Sequence, residues 1–578
     1  MFKQFLQSYH IIGKENRIKS LWLLLILLSI IALELLNFSL IIPVLTILFD
    51  KESVGKIKFI TNLENLFGVS TFSLINLAIL FLIIIIVKVL LLLFFEYKIQ
   101  KYSREMQVDM SLRAYSYFLN SQWQEILKVD HAYIMRTILS DIGTFVTEGI
   151  LKFIEIIKNT LFLFFILSYL LFFNFKITII IMGVLVSFTI IIFVLFKKKQ
   201  VYLSKLTAEF QKSRYKNISE SILSLRDIKL TGNSGFFLNA FENNEKKATT
   251  VLIVSKIMSK IPRYLLEIIL VSFGILIAVY LDTNNFDMNN YIPLLGLYTF
   301  AILKLIPIFT VYNQSIQAVR VAKYQTEEAI KNAERFKKIF KQYKLRERDE
   351  KFNILDFNHE FKIKVSNVDF SYDNSKPIFE NLNLELNKNQ TIYLEGQNGS
   401  GKSTFVDLIS GLLSPSRGTI KINNSNLIDV SNNWLKEVGY VSQTNFLMNN
   451  TIKENIVFGR ENINEKNIIE IIKLVGLDEL INSLPDGINT NVGNLGSSFS
   501  GGQKQRISIA RALVLNPSVI ILDEATNALD ADTEKNFLEI INKIKKNKII
   551  IFIAHSELIK NFCDTKMIIK DKKIEIIN

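Results

Sequence analysis

Apolar residues are crowded into the first 320 positions of the chain and then thin out abruptly. Six stretches, at about 21–48, 71–95, 149–173, 175–196, 264–281 and 291–312, are long enough to cross a bilayer core as helices of ~20 residues. Runs such as LWLLLILLSIIALELL and LINLAILFLIIIIVKVLLLLFF are too uniformly apolar for the striped face of a soluble helix. The first span also exceeds the apolar length of a cleaved signal peptide. Two long polar-rich connections, 96–148 and 197–263, keep a helical character (YKIQKYSREMQVDMSLRAYSYFL). They predict helical extensions of the spans that turn at short links near 121–131 and 232–240. From about 321 the pattern changes to alternating strands, polar helices and glycine turns.

The pattern predicts four segments: 1–20 cytosolic, 21–320 an all-α membrane domain of six transmembrane helices, 321–358 a linker, and 359–578 a soluble α/β P-loop domain. Composition agrees with an average over two such halves, with 49% hydrophobic and 21% charged residues among 578 and a mean hydropathy of +0.27. The single cysteine, Cys563, excludes an intrachain disulfide scaffold. A net charge of +14 first suggests nucleic acid or an anionic membrane. Its distribution decides: segment 197–263 holds 14 Lys/Arg against 5 Asp/Glu, while the connection DTNNFDMNN at 282–290 holds no Lys or Arg. By the positive-inside rule both long connections, both termini and the soluble half face the cytosol of a multi-pass inner (cytoplasmic) membrane protein. The nucleic-acid reading loses its support.

The soluble half carries the chemistry. Strand TIYLEG is followed by GQNGSGKS at 396–403 and the apolar helix TFVDLISGLL, a complete G-x4-G-K-[ST] phosphate loop in its strand–loop–helix context. Its glycines let backbone N–H groups wrap phosphates, and the helix N-terminus adds positive potential. Lys402 then meets the β- and γ-phosphates and Ser403 the Mg²⁺. Strand SVIILDEATNALD ends in Asp523, suited to Mg²⁺, and Glu524, suited to activating a water. The turn FSGGQKQRISIARAL opens a basic amphipathic helix whose first N–H groups suit a second phosphate contact.

Residues 359–578 resemble the nucleotide-binding domain of ATP-binding-cassette (ABC) transporters, and the whole chain resembles exporter-type half-transporters. The resemblance implies ATP and Mg²⁺ as cofactors and contacts from Gly396, Asn398, Gly399, Ser400, Gly401, Lys402, Ser403 and Thr404. It implies that Tyr372 stacks on adenine, that Gln443 in GYVSQTNF joins Ser403 and Asp523 around Mg²⁺, and that His555 holds the γ-phosphate beside the base Glu524. Ser500, Gly501, Gly502 and Gln503 would close on ATP held by the opposite subunit, and Asp530 would lie at the dimer contact. The sequence departs from the family pattern at Phe499, Asn527 and Ser556, where Leu, Ser and Arg are common. None of these removes a group assigned to chemistry. One such domain per chain implies a dimer, by default with a second copy and otherwise with a related chain.

Charges inside spans are functional candidates by default. Lys88, Arg263 and Lys304 are expected to line a cavity for an anionic headgroup, two copies of each giving six positive charges. The bland readings are that Lys88 pairs across helices with Glu34 and that Arg263 pairs with Glu267. The charge pattern is similar to that of lipid-linked oligosaccharide flippases. It implies an ATP-driven exporter or flippase for an amphipathic, anionic, lipid-linked substrate. Hydrophobic drugs, lipid A precursors and peptides are the competing cargoes, and a non-pumping ATP-gated channel or regulatory subunit is the different-class alternative.

Overall fold

The computed structural model describes residues 25–40, 74–173, 175–283, 288–325, 361–372, 376–461, 463–493, 496–526 and 531–577, with isolated positions at 22, 327, 332, 335, 336 and 338. Contacts divide the chain into two compact units. One is 1–121 with 129–345, and the other is 122–128 with 346–578.

The first unit is helical. Its long elements are α1 (Leu25–Leu40), α2 (Leu74–Asn120), α3 (Lys152–Phe173), α4 (Phe175–Leu223), α5 (Ser234–Thr283) and α6 (Met288–Gln325). The described parts of the predicted spans fall on these helices, except that 149–151 belong to a π-helical turn before α3 and Trp22 stands as an isolated helical position. By length and composition alone, Ala78–Asn120 and Gly296–Tyr324 suffice to cross a membrane, and Leu25–Leu40 is a shorter apolar helix. Of the predicted helical extensions, α2 continues without a break to Asn120 and α4 to Leu223. The second turn is made at Gly232, whose φ of 69° closes the short helix Leu225–Thr231 in the left-handed region. Leu27, Phe95, Phe162, Phe188, Leu266 and Leu305 share one buried apolar cluster drawn from all six helices. Two π-helical turns, Thr137–Asp141 and Phe145–Leu151, precede α3, and the sequence pattern does not announce them.

The second unit is α/β. Strands β1 (Lys362–Phe370), β2 (Phe379–Asn387), β3 (Gln390–Gly396), β4 (Arg417–Ile422), β5 (Ser425–Asn426), β6 (Val438–Val441), β7 (Val519–Asp523), β8 (Ile549–Ile553), β9 (Thr565–Lys570) and β10 (Lys573–Ile577) form two sheets. A four-stranded antiparallel sheet has the order β2-β1-β4-β5, and a six-stranded one has the order β10-β9-β3-β8-β7-β6. In the second sheet only β10 runs antiparallel. The strand chemistry follows the topology. β8 reads IIIFI and is buried at every position, as a central parallel strand covered on both faces must be. β1 alternates, with Ile363, Val365, Val368 and Phe370 inward.

Candidate functional site

The strand order β3-β8-β7-β6 brings four chain segments together at the carboxyl edge of the parallel sheet, where α/β proteins place their ligands. β3 delivers the phosphate loop and then α7 (Lys402–Ile409). β7 pairs in register with β8, Asp523 opposite Ile553, which places Asp523 and Glu524 beside His555 two residues beyond β8. β6, paired to the other side of β7, leads to Gln443. The sequence assigns these residues singly, and the sheet gathers them.

Each group has a visible support. Lys402 Nζ donates to Gly396 O at 2.6 Å and Gln397 O at 3.2 Å, which holds the loop around its own lysine. Trp434, fully buried, donates from Nε1 to Ile409 O at 2.9 Å and satisfies the last turn of α7. Gln443 Nε2 donates to Glu524 Oε2 at 2.6 Å. Glu524 lies at φ 52°, a left-handed backbone that a non-glycine residue adopts only at some cost, and its N–H donates to Ile553 O at 2.7 Å. The strained residue is the one assigned as base. Tyr372 is half-buried, its hydroxyl 3.2 Å from Thr404 Oγ1.

Two observations fit a Mg²⁺-nucleoside triphosphate here. The first-turn N–H groups of α7 lack intrahelical acceptors, and Ser400 Oγ beside them is buried without a partner among the described residues. Ser403, Gln443 and Asp523 supply oxygen donors only, the set a hard cation such as Mg²⁺ takes alongside phosphate oxygens.

The signature turn is a helix start. Ser500 caps α8 (Gly501–Leu513) in a full capping box, accepting from Gln503 N–H while the Gln503 side chain accepts from Ser500 N–H. Farther along, Arg511 ties α8 to the stretch after Gln443, donating to Phe446 O at 2.9 Å and Asn455 O at 2.7 Å. Its guanidinium lies 4.4 Å from the centroid of the Phe458 ring. Burial, with Arg460 nearby, brings Arg511 down to about 10. Asp530 and Asn527 lie outside the described residues.

Three participants escaped the sequence reading. Tyr440 on β6 donates its hydroxyl to Asp523 Oδ2 at 2.9 Å and orients the carboxylate assigned to Mg²⁺. Asp407, on α7, is pushed up to about 6 by burial and by the negative charge of Asp523, against a hydrogen bond from Trp123. Trp123 belongs to the segment Gln122–Lys128, which folds as part of this unit although α2 precedes it in the chain. From that segment Gln124 and Lys128 also donate to Tyr372 O, both at 3.3 Å. Residues 122–128 therefore touch Tyr372 and the phosphate-loop helix together.

A folded-state value of about 6 against 3.8 means that Asp407 favours folding fully only below pH ~4, and that the contribution is lost as pH rises through ~6. Asp407→Asn is expected to remove this slope. The melting temperature of the variant minus that of wild type should increase between pH ~4 and ~7, and a flat difference would refute the assignment.

In the helical unit, Lys88 and Lys304 converge on one acid. Lys88 Nζ lies 2.7 Å from Glu34 Oε2, with both side chains 8% exposed, and Lys304 Nζ lies 3.5 Å from Glu34 Oε1. The cross-helix pairing of Lys88 with Glu34 expected from the sequence is present, as a lysine buried among apolar helices is held by a counter-ion, and Lys304 shares the same acid. Arg263 is exposed on α5, with no ion pair to Glu267 among the described residues.

Residues 379–527 match the family profile of the ABC transporters. The chain carries an ABC transporter nucleotide-binding domain. A Rickettsia typhi protein named as an export ATP-binding/permease protein is 44% identical over 197 residues, covering 33% of this chain and 34% of that one. A Staphylococcus aureus multidrug export ATP-binding/permease protein is 38% identical over 196 residues, covering 34% of each. These matches span about a third of the relatives' length. A bacterial Atm1-family ABC exporter solved with ATP bound superimposes with a TM-score of 0.70 over 97% of this chain and 95% of that chain. At 18% identity this likeness shows the fold alone.

Proposed function

We propose that the chain is an ATP-hydrolysing translocase, an exporter or flippase that works as a pair of ABC half-transporters. The observation that carries the reading is the gathering of the candidate site residues at one sheet edge, with Glu524 hydrogen-bonded to Gln443 beside Asp523 and the phosphate loop. A channel or regulatory subunit has no need of an intact base, so the pump is favoured. Bound ATP with Mg²⁺ would supply the phosphoryl group. Lys402 and the N–H groups of α7 would neutralise its charge, Tyr440 holds Asp523 in place, Glu524 would take a proton from the water that attacks the γ-phosphorus as ADP leaves, and His555 would donate to the γ-phosphate.

The partner is a second copy of the chain, whose Ser500–Gln503 turn would complete each nucleotide site. A related chain could fill the same place. Lys/Arg asymmetry supports insertion in the cytoplasmic membrane with the ATPase unit cytosolic. For cargo we infer an amphipathic anion carried on a lipid, moved from the cytosolic side, on the strength of the intramembrane lysines. Drug cargo, which the name of the Staphylococcus aureus relative suggests, is the alternative, with lipid A precursors and peptides as further competitors.

The test is reconstitution in phosphatidylcholine liposomes containing fluorescent phosphatidylglycerol. Proteins oriented with their ATPase unit outward should move the label to the inner leaflet only with ATP, and Lys402→Ala should not. Vigorous hydrolysis without movement of this lipid would overturn the cargo assignment, and absence of hydrolysis would overturn the pump.

A further inference from the structure

The cluster around Glu34 holds more than a structural ion pair. It contains two lysines and one carboxylate, so among described partners it carries one uncompensated positive charge in an apolar helical setting, where such a charge is costly. Its geometry is asymmetric. Lys88 is tightly bound and buried, whereas the Lys304 side chain is 37% exposed, stands 3.5 Å from the other Glu34 oxygen, and lies 5.6 Å from the Phe300 ring centroid. One turn along α1 from Glu34 is Asn37, 2% exposed, with neither its Nδ2 nor its Oδ1 hydrogen-bonded. An orphaned buried amide is expensive and marks a place where a polar partner is expected. Its neighbour Phe38 meets Phe300 edge-to-face at 5.2 Å and walls the cluster with aromatic surface.

We propose that Glu34 is a built-in counter-anion, displaced from Lys304 when a singly charged oxyanion on an apolar body binds there. Glu34 and Lys88 then remain a neutral pair, the incoming phosphodiester or carboxylate neutralises Lys304, and the Asn37 amide donates to its oxygens. The apolar body lies against Phe300. Glu34 thus sets the affinity by competing for the same lysine. This inference rests on the transport reading for its purpose, but its evidence is binding, which needs no hydrolysis.

The test uses the full-length protein in phosphatidylcholine nanodiscs without ATP. Fluorescent phosphatidylglycerol is the probe, and inorganic phosphate is the competitor. Lys304→Met should weaken binding about tenfold or more. Glu34→Gln combined with Lys88→Met removes the buried pair together, leaving no buried lysine unpaired and Lys304 without its competing carboxylate, and should tighten binding by about tenfold. Wild-type affinity in Lys304→Met, or a double variant that binds no more tightly than wild type, would overturn the proposal. Competition by inorganic phosphate at equal concentration would keep the site and assign it to a free anion, while competition only by anionic lipid would assign it to a headgroup. Because no ATP is present, a protein that binds the probe but does not hydrolyse ATP retains this inference and loses the pump.

Discussion

Glu524→Gln is expected to lower steady-state ATP hydrolysis by about two to three orders of magnitude, the usual worth of a positioned general base, with nucleotide affinity unchanged. The residue is nearly isosteric, so the left-handed backbone at φ 52° and the N–H bond to Ile553 O are kept. What is lost is basicity at one atom, Oε2, which already accepts from Gln443 at 2.6 Å. Its partner stays in place, because an amide oxygen accepts the same bond. The measurement is phosphate release by the purified full chain beside nucleotide binding by equilibrium titration. A variant that keeps a third of wild-type turnover would move the base elsewhere, with His555 the nearest candidate by strand register.

How much of this site could be read from the sequence depends on what fixes each residue. The phosphate loop was fully legible, because its chemistry demands particular residues at fixed spacing on one continuous stretch. Asp523, Glu524 and His555 were legible as strand ends. Tyr440 was not: it reaches Asp523 only because β6 lies beside β7, Tyr440 opposite Ile521, and strand order is not written in local pattern. Trp123 and Asp407 meet across 284 positions (407 − 123), through a segment that leaves a long helix and joins the other unit. Lys88 and Lys304 show the same division. Neither has an acidic residue three or four positions away on its own helix, so the sequence offered Glu34 only as a cross-helix partner of Lys88 and offered none for Lys304, while Glu34, 54 positions from Lys88, reaches both from α1. Hydrophobic pattern located the helices, but the π-turns before α3 depend on packing and leave no periodic mark.

The second large effect is expected from a methyl group in the phosphate loop. Gly399 and Gly401 both have positive φ, 80° and 109°, so any L-residue at either is strained by about 1–2 kcal/mol. They differ in what a Cβ would meet. At Gly399 it meets nothing within 4 Å, but at Gly401 it lies 2.8 Å from Ile378 Cγ2 and 3.0 Å from Phe379 Cζ. Phe379 is fully buried in the core beneath the loop and cannot yield. The loop must therefore move, and it carries the N–H groups that face the phosphates. Gly399→Ala should weaken nucleotide binding about tenfold and Gly401→Ala roughly a hundredfold or more, by the conversion of ~1.4 kcal/mol per decade. The apolar cluster around Phe379, Phe405 and Ile392 should keep the unit folded, so melting temperatures without nucleotide should change little while the stabilisation that ATP confers disappears in Gly401→Ala. Equal losses in the two variants would mean that backbone conformation alone limits the loop, and that its packing on Ile378 and Phe379 has no part in holding phosphate.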